Sequence, residues 1–155
     1  MNRLVDRLSR WFLAAVFLYS GVDKLFHYGG FVTALESSVL VPAVAGPFLA
    51  LPVILVEILV GAGLLFRRSR RAAAAVATVL LAVFTAAIAA NALYGPPGAP
   101  CGCWFTLTLG ESNRLHIALN MVLLALAASV ALTQGQGEEA ISPNPELMDR
   151  ENLNR

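Results

Sequence analysis

Four long apolar runs constrain this chain more than any other feature of its sequence. They cover residues 11–26, 48–66, 72–93 and 115–132. A helix needs roughly 20 apolar residues to cross a bilayer, and roughly 17 is the lower limit. Charged residues make up only 14% of the 155 residues, against about 25% in soluble domains. The sequence therefore predicts an all-α membrane protein, a bundle of four transmembrane helices at about 11–27, 48–66, 72–94 and 114–132 within a membrane domain of residues 1–132.

The arginines outside these runs predict the orientation of the helices. Arg3, Arg7 and Arg10 precede the first run, and an arginine cluster at 67–71 joins the second run to the third. Because Lys and Arg concentrate in cytoplasmic loops, both termini should be cytoplasmic, and the connections 28–47 and 94–114 should lie outside.

The last residues, 133–155, differ in character from the rest of the chain. They hold two basic and five acidic residues and no long apolar run. We expect this polar, acidic tail to be disordered or bound to a partner. The net charge of +1 gives no reason to expect a nucleic acid as that partner.

Only two cysteines occur in the chain, and one residue separates them in Cys101-Gly102-Cys103. They fall in the second outward connection, on the side of a membrane where disulfides persist. A ring closed over one residue is strained and therefore labile, which favours thiol–disulfide exchange. A static disulfide that pins the connection is the second interpretation. A pair of metal ligands is the third, but two thiolates alone do not complete a tetrahedral metal site, so no metal is predicted.

The polar residues of the predicted helices gather in their outer halves. Glu57 lies within the second run, where a carboxylate costs at least ~2.5 kcal/mol and usually faces a partner inside the bundle. We expect that partner to be Lys24 or Asn91, and the pair could act chemically or only fix the helix register.

His116 and Asn120 are four residues apart and share a helix face. His116 is a natural proton carrier, although a histidine at a helix start is also often a cap. The predicted site thus comprises a catalytic group, Cys101, Cys103 and His116, and an intramembrane polar cluster, Asp23, Lys24, Glu57, Asn91 and Asn120.

Three segments resemble a known group of membrane proteins. FLYSGVDKL at residues 17–25 resembles the first helix of DoxX-like proteins, and EILVGAGLL at residues 57–65 resembles their second helix. CGCWF at residues 101–105, followed by an asparagine-bearing helix, resembles the MauE family of methylamine utilisation membrane proteins. The resemblance covers roughly residues 10–132. It implies a multi-pass, four-helix protein of the bacterial inner membrane.

The resemblance also implies a redox function. MauE proteins are associated with maturation of a disulfide-rich periplasmic dehydrogenase. The wider group is similar to vitamin K epoxide reductase-like proteins, which pass electrons between periplasmic thiols and quinone. Cys101 and Cys103 would then be the redox pair. Quinone is the cofactor that the resemblance suggests, and the partners would be the lipid bilayer and an extracytoplasmic or membrane protein. This chain has no second cysteine pair, whereas such a relay normally uses two.

Two functions follow from these features. The first is a redox-associated accessory protein that exchanges thiols with an extracytoplasmic partner. The alternative is a non-catalytic structural subunit of a larger respiratory or other electron-transfer complex, because DoxX is named for a subunit of a quinol oxidase. In that alternative the two cysteines form a static disulfide.

Overall fold

The described part of the chain is entirely helical. A computed structural model describes residues 3–95 and 113–139. Within these ranges there is no β-strand, so the all-α prediction is confirmed. The elements are five α-helices and one 3-10 turn: α1 (Arg3–Phe26), α2 (Tyr28–Glu36), the turn (Ala43–Ala45), α3 (Gly46–Leu65), α4 (Arg70–Tyr94) and α5 (Asn113–Glu139).

Three elements differ from the sequence prediction. Helix α1 begins at Arg3, well before the predicted residue 11. Helix α2 lies inside the connection 28–47, for which the sequence predicts no helix; its buried residues Phe31 and Ala34 are three apart and form a short apolar stripe. Helix α5 continues to Glu139 and so extends into the segment assigned to the polar tail. The remainder of that tail, 140–155, lies outside the described residues.

Among the residues that the structure describes, two helices are long and apolar enough to cross a membrane. They are α3, with a mean hydropathy of 2.5, and α4, with 2.3. Helix α5 contains a shorter apolar stretch, His116–Leu132, and α1 carries Asp6 in its first turn and Lys24 in its last. Each of the helices α1, α3, α4 and α5 also exposes large apolar side chains on its outer face. Examples are Phe12, Leu59, Val79 and Val122.

The four long helices pack side by side around one core. Helix α1 packs mainly on α3, and α4 packs mainly on α5, whereas α3 touches α4 and α1 touches α5 less extensively. Helix α2 covers part of α3, where Phe31 packs with Ala50 and Ile54. The core combines residues of α1, α3, α4 and α5, and α4 contributes mostly alanines. Its members include Leu13, Phe17, Leu64, Ala73, Ala74, Ala77, Leu123 and Ala127.

Glycines bring α1 and α3 into backbone contact. A Cβ added at Gly61 of α3 would lie 2.7 Å from Leu18 Cγ, 3.0 Å from the Leu18 nitrogen and 3.1 Å from the Ala14 carbonyl oxygen. Two of these neighbours are main-chain atoms of α1, which cannot move aside as a side chain can. Close backbone approach at small residues is how helices associate in lipid, where apolar burial gives little advantage.

We therefore expect Gly61→Ala to separate α1 from α3 and to lower stability by about 1–3 kcal/mol, as overpacking usually does. The measurement is thermal or denaturant unfolding of the purified protein in detergent, followed by circular dichroism. Gly29→Ala is the matched control, because a Cβ at Gly29 in α2 would meet nothing within 4 Å. If both variants unfold like the parent chain, the backbone contact does not contribute to stability.

Candidate functional site

A buried ion pair joins α1 to α3. Lys24 Nζ donates hydrogen bonds to both oxygens of Glu57, over 3.0 Å to Oε1 and 3.1 Å to Oε2. Each residue is only 1% exposed. Lys24 Nζ also donates to Ser20 Oγ, one helical turn earlier. An ammonium has three N–H donors, and each has an acceptor here.

Two aromatic rings cover the ammonium. Lys24 Nζ lies 5.5 Å from the ring centroid of Phe31 and 5.7 Å from that of Phe84. Both distances fall within the range of about 6 Å over which a ring face attracts a cation. Phe31 belongs to α2 and Phe84 to α4, so Lys24 is held by residues of four helices, its own included. An ion pair withdrawn from water loses solvation worth several kcal/mol per ion, and these contacts offset that loss.

A small cavity lies beside the ion pair. Its volume is about 20 Å³. Asn120 of α5 reaches this cavity and is only 5% exposed, and its Nδ2 has no hydrogen-bond partner among the described residues. The lining comes from α1, α3, α4 and α5 and consists of Val16, Phe17, Ser20, Lys24, Glu57, Leu81, Phe84, Asn120 and Leu123.

The structure separates the predicted polar cluster into three places. Lys24, Glu57 and Asn120 line the same cavity. Asp23 is buried and directly precedes Lys24 in the sequence. Its carboxylate contacts a different residue, however, because Oδ1 lies 3.2 Å from Nδ1 of His27. Asn91 is not the partner of Glu57: its Oδ1 accepts hydrogen bonds from the Val39 N–H at 2.9 Å and from Ser38 Oγ at 3.4 Å.

The predicted catalytic group is only partly within the described residues. His116 is partly buried in the first turns of α5, four residues before Asn120. Cys101 and Cys103 lie outside the described residues. No group of three or more His, Cys, Asp or Glu side chains in the described part of the chain could hold a metal ion.

Phe31 and Phe84 are not predicted from the sequence. Phenylalanines are common in the apolar runs, and only the packing of α2 and α4 around α1 brings these two to Lys24. Ser20 does have a local signal, because its spacing of four residues from Lys24 puts both side chains on one helix face.

A double substitution tests whether Lys24 and Glu57 stabilise the protein as a direct pair. Glu57→Leu or Lys24→Leu alone should lower stability by ~3–5 kcal/mol, because each leaves a buried charged group without its partner. The variant with both substitutions should recover most of that loss, since apolar replacement of a whole pair is often neutral. Unfolding in detergent gives the free energy of unfolding of the unaltered chain, of the two single variants and of the double variant. Arg68→Met, which removes an exposed charge from the α3–α4 connection, is the control. Additive losses in the double variant would contradict a direct pair.

Comparison with known proteins agrees with the sequence resemblance. The family model described as "Methylamine utilisation protein MauE" matches residues 2–133. The protein named "Methylamine utilization protein MauE" from Paracoccus denitrificans is 34% identical over 122 residues, 79% of this chain and 66% of that protein. The chain thus spans slightly less than two thirds of the length of this relative. No solved structure matches the chain. Because the matched region includes α1 to α4 and most of α5, this chain belongs to the MauE family of methylamine utilisation proteins.

Proposed function

We propose that this protein is a redox accessory of methylamine utilisation in the bacterial inner membrane, where it exchanges thiols with an extracytoplasmic partner protein through Cys101 and Cys103. The observation that carries the proposal is the Cys-Gly-Cys motif between α4 and α5 of a MauE family member. In this proposal α1, α3, α4 and α5 all cross the membrane, and both termini are cytoplasmic.

Contacts at the two ends of the bundle support this orientation. At one end, Asn91 near the end of α4 binds Ser38 and Val39 of the α2–α3 connection. Helix α4 ends at this same end of the bundle, and residues 96–112, which hold both cysteines, follow it in the sequence. At the other end, Arg10 and Asp6 of α1 interact electrostatically with Arg70 at the start of α4. The arginine-rich end would face the cytoplasm under the positive-inside rule.

The exchange that we propose is a balanced two-electron reaction. A thiolate of the partner attacks one sulfur of the Cys101–Cys103 disulfide, the S–S bond breaks, and a mixed disulfide forms with release of the other cysteine as a thiolate. A second partner thiolate then attacks the mixed disulfide. The partner leaves with a new disulfide, and Cys101 and Cys103 remain as a dithiol that carries the two electrons. His116 would take up or supply the protons of the thiols in this scheme.

Reoxidation of the dithiol requires an acceptor of two electrons, and quinone is the class that we propose. A quinone would accept two electrons and two protons, become the quinol and restore the disulfide. The cavity beside Glu57 has about 20 Å³, which is room for about one water molecule. A quinone ring would therefore bind outside this cavity.

A structural subunit is the second candidate function. The observation that favours it is the dense core, in which α4 presents alanines to its neighbours and in which the polar cavity beside the ion pair is small. Such a bundle would present its apolar outer surface to a larger complex, and the two cysteines would form a permanent disulfide.

Mixed-disulfide trapping distinguishes the two functions. In Cys101→Ser or Cys103→Ser, the remaining thiolate can attack the disulfide of an oxidised partner, which is the reverse of the proposed exchange. The mixed disulfide should persist, because the second cysteine that would release the partner is missing. The expected result is a new band on a non-reducing gel of host membranes, which disappears after reduction. Mass spectrometry of the band should identify an extracytoplasmic protein.

The variant lacking both cysteines is the control and should give no band. Growth of the host on methylamine should fail with either single variant if exchange is required. Absence of an adduct in both single variants, combined with normal growth on methylamine, would reject exchange and favour the structural subunit.

The proposed orientation has a separate test. A membrane-impermeant thiol reagent should label Cys101 and Cys103 in reduced, intact spheroplasts, because the proposed connection lies outside. A cysteine introduced at exposed Arg68, in a background without the native pair, is the matched control and should react only after permeabilisation. The reverse pattern would show that the bundle is inserted in the opposite sense.

A further inference from the structure

The cavity beside the ion pair combines an unpaired donor with available acceptors. Asn120 Nδ2 is buried and has no hydrogen-bond partner in the described part of the chain. An unmade hydrogen bond of this kind costs about 1–3 kcal/mol, so a buried group such as this one usually has a partner, which can be an ordered water molecule. The carboxylate of Glu57 and the hydroxyl of Ser20 line the same cavity, and both can accept further hydrogen bonds.

The size and charge of the cavity restrict what it can hold. Its volume of about 20 Å³ exceeds the ~10–15 Å³ that one water molecule needs. An anion would be repelled by Glu57, and a cation by Lys24. An apolar molecule would leave Asn120 Nδ2 unpaired. A neutral molecule that both donates and accepts hydrogen bonds, and is no larger than water, satisfies all three conditions.

We propose that this cavity binds one water molecule, which accepts a hydrogen bond from Asn120 Nδ2 and donates one to the Glu57 carboxylate. The water connects α5 to the ion pair formed by α1 and α3. It also gives the pair a route for proton exchange, because a proton can pass between Lys24, Glu57 and the water without any helix moving. The inference does not depend on the proposed thiol exchange, since no cysteine takes part in it.

The presence of lysine rather than arginine at position 24 agrees with a site that exchanges protons. Lys24 is the only lysine in the chain, and the ten other basic residues that make up the total of 11 are arginines. An arginine keeps its proton in proteins, whereas a buried lysine can release one.

The single lysine allows the water to be observed directly. Protein labelled with 15N at lysine Nζ, in detergent micelles or nanodiscs, gives one side-chain ammonium signal, from Lys24. We expect this signal to show magnetisation transfer from water. A rotating-frame experiment separates dipolar contact with a bound water from chemical exchange, because the two have opposite signs.

Asn120→Leu tests whether this water depends on the asparagine. The substitution removes the donor and adds apolar volume to the cavity, so the exchange of the Lys24 ammonium protons with water should slow at least tenfold. Asn91→Leu is the matched control, since Asn91 lies outside the cavity, and it should leave the rate unchanged within twofold.

Two results would overturn the proposal. The first is the absence of any transfer from water to Lys24 in the unaltered chain, which decides the matter even if Asn120→Leu does not fold. The second is an equal rate in the unaltered chain and in folded Asn120→Leu, which would show that the ammonium exchanges by another route.

Discussion

The arrangement of the helices depends on the buried ion pair between Lys24 and Glu57. Burying apolar side chains does little to choose one packing over another in lipid, because the lipid is itself apolar. A charged pair is different, since separating its members leaves a charge without a partner at a cost of several kcal/mol. Ser20, Phe31 and Phe84 also approach the ammonium. This one amino group therefore contacts residues of α1, α2, α3 and α4 and helps to fix the faces that these helices turn to one another.

Glycine makes the ion pair possible. Gly21 of α1 lies between Ser20 and Lys24, and a Cβ there would come within 2.7 Å of Ile58 Cγ1 and 3.4 Å of Glu57 Cβ. The absence of that atom lets the two helices approach closely beside the charges. The small residues and the charged pair therefore work together, because the glycines set the distance between α1 and α3 and the hydrogen bonds set their register.

Sequence reasoning predicted the long helices better than it predicted their contacts. The apolar runs identified α1, α3, α4 and α5, because a run of about 20 apolar residues has few other folds. Helix α2 was missed, since nine residues with one short apolar stripe give little periodicity. Glu57 was recognised as unusual because a charge in an apolar run is costly. The choice between Lys24 and Asn91 as its partner needed the structure, because both residues fall in the outer halves of their helices.

The unequal helix contacts divide the bundle into two halves, α1 with α3 and α4 with α5. Both members of the ion pair belong to the first half, and Asn120 and most of the apolar wall of the cavity belong to the second. The cavity thus lies on the seam between the halves. A separation of the two halves at this seam would uncover the cavity and would leave Lys24 and Glu57 together, because both members of the ion pair belong to the same half.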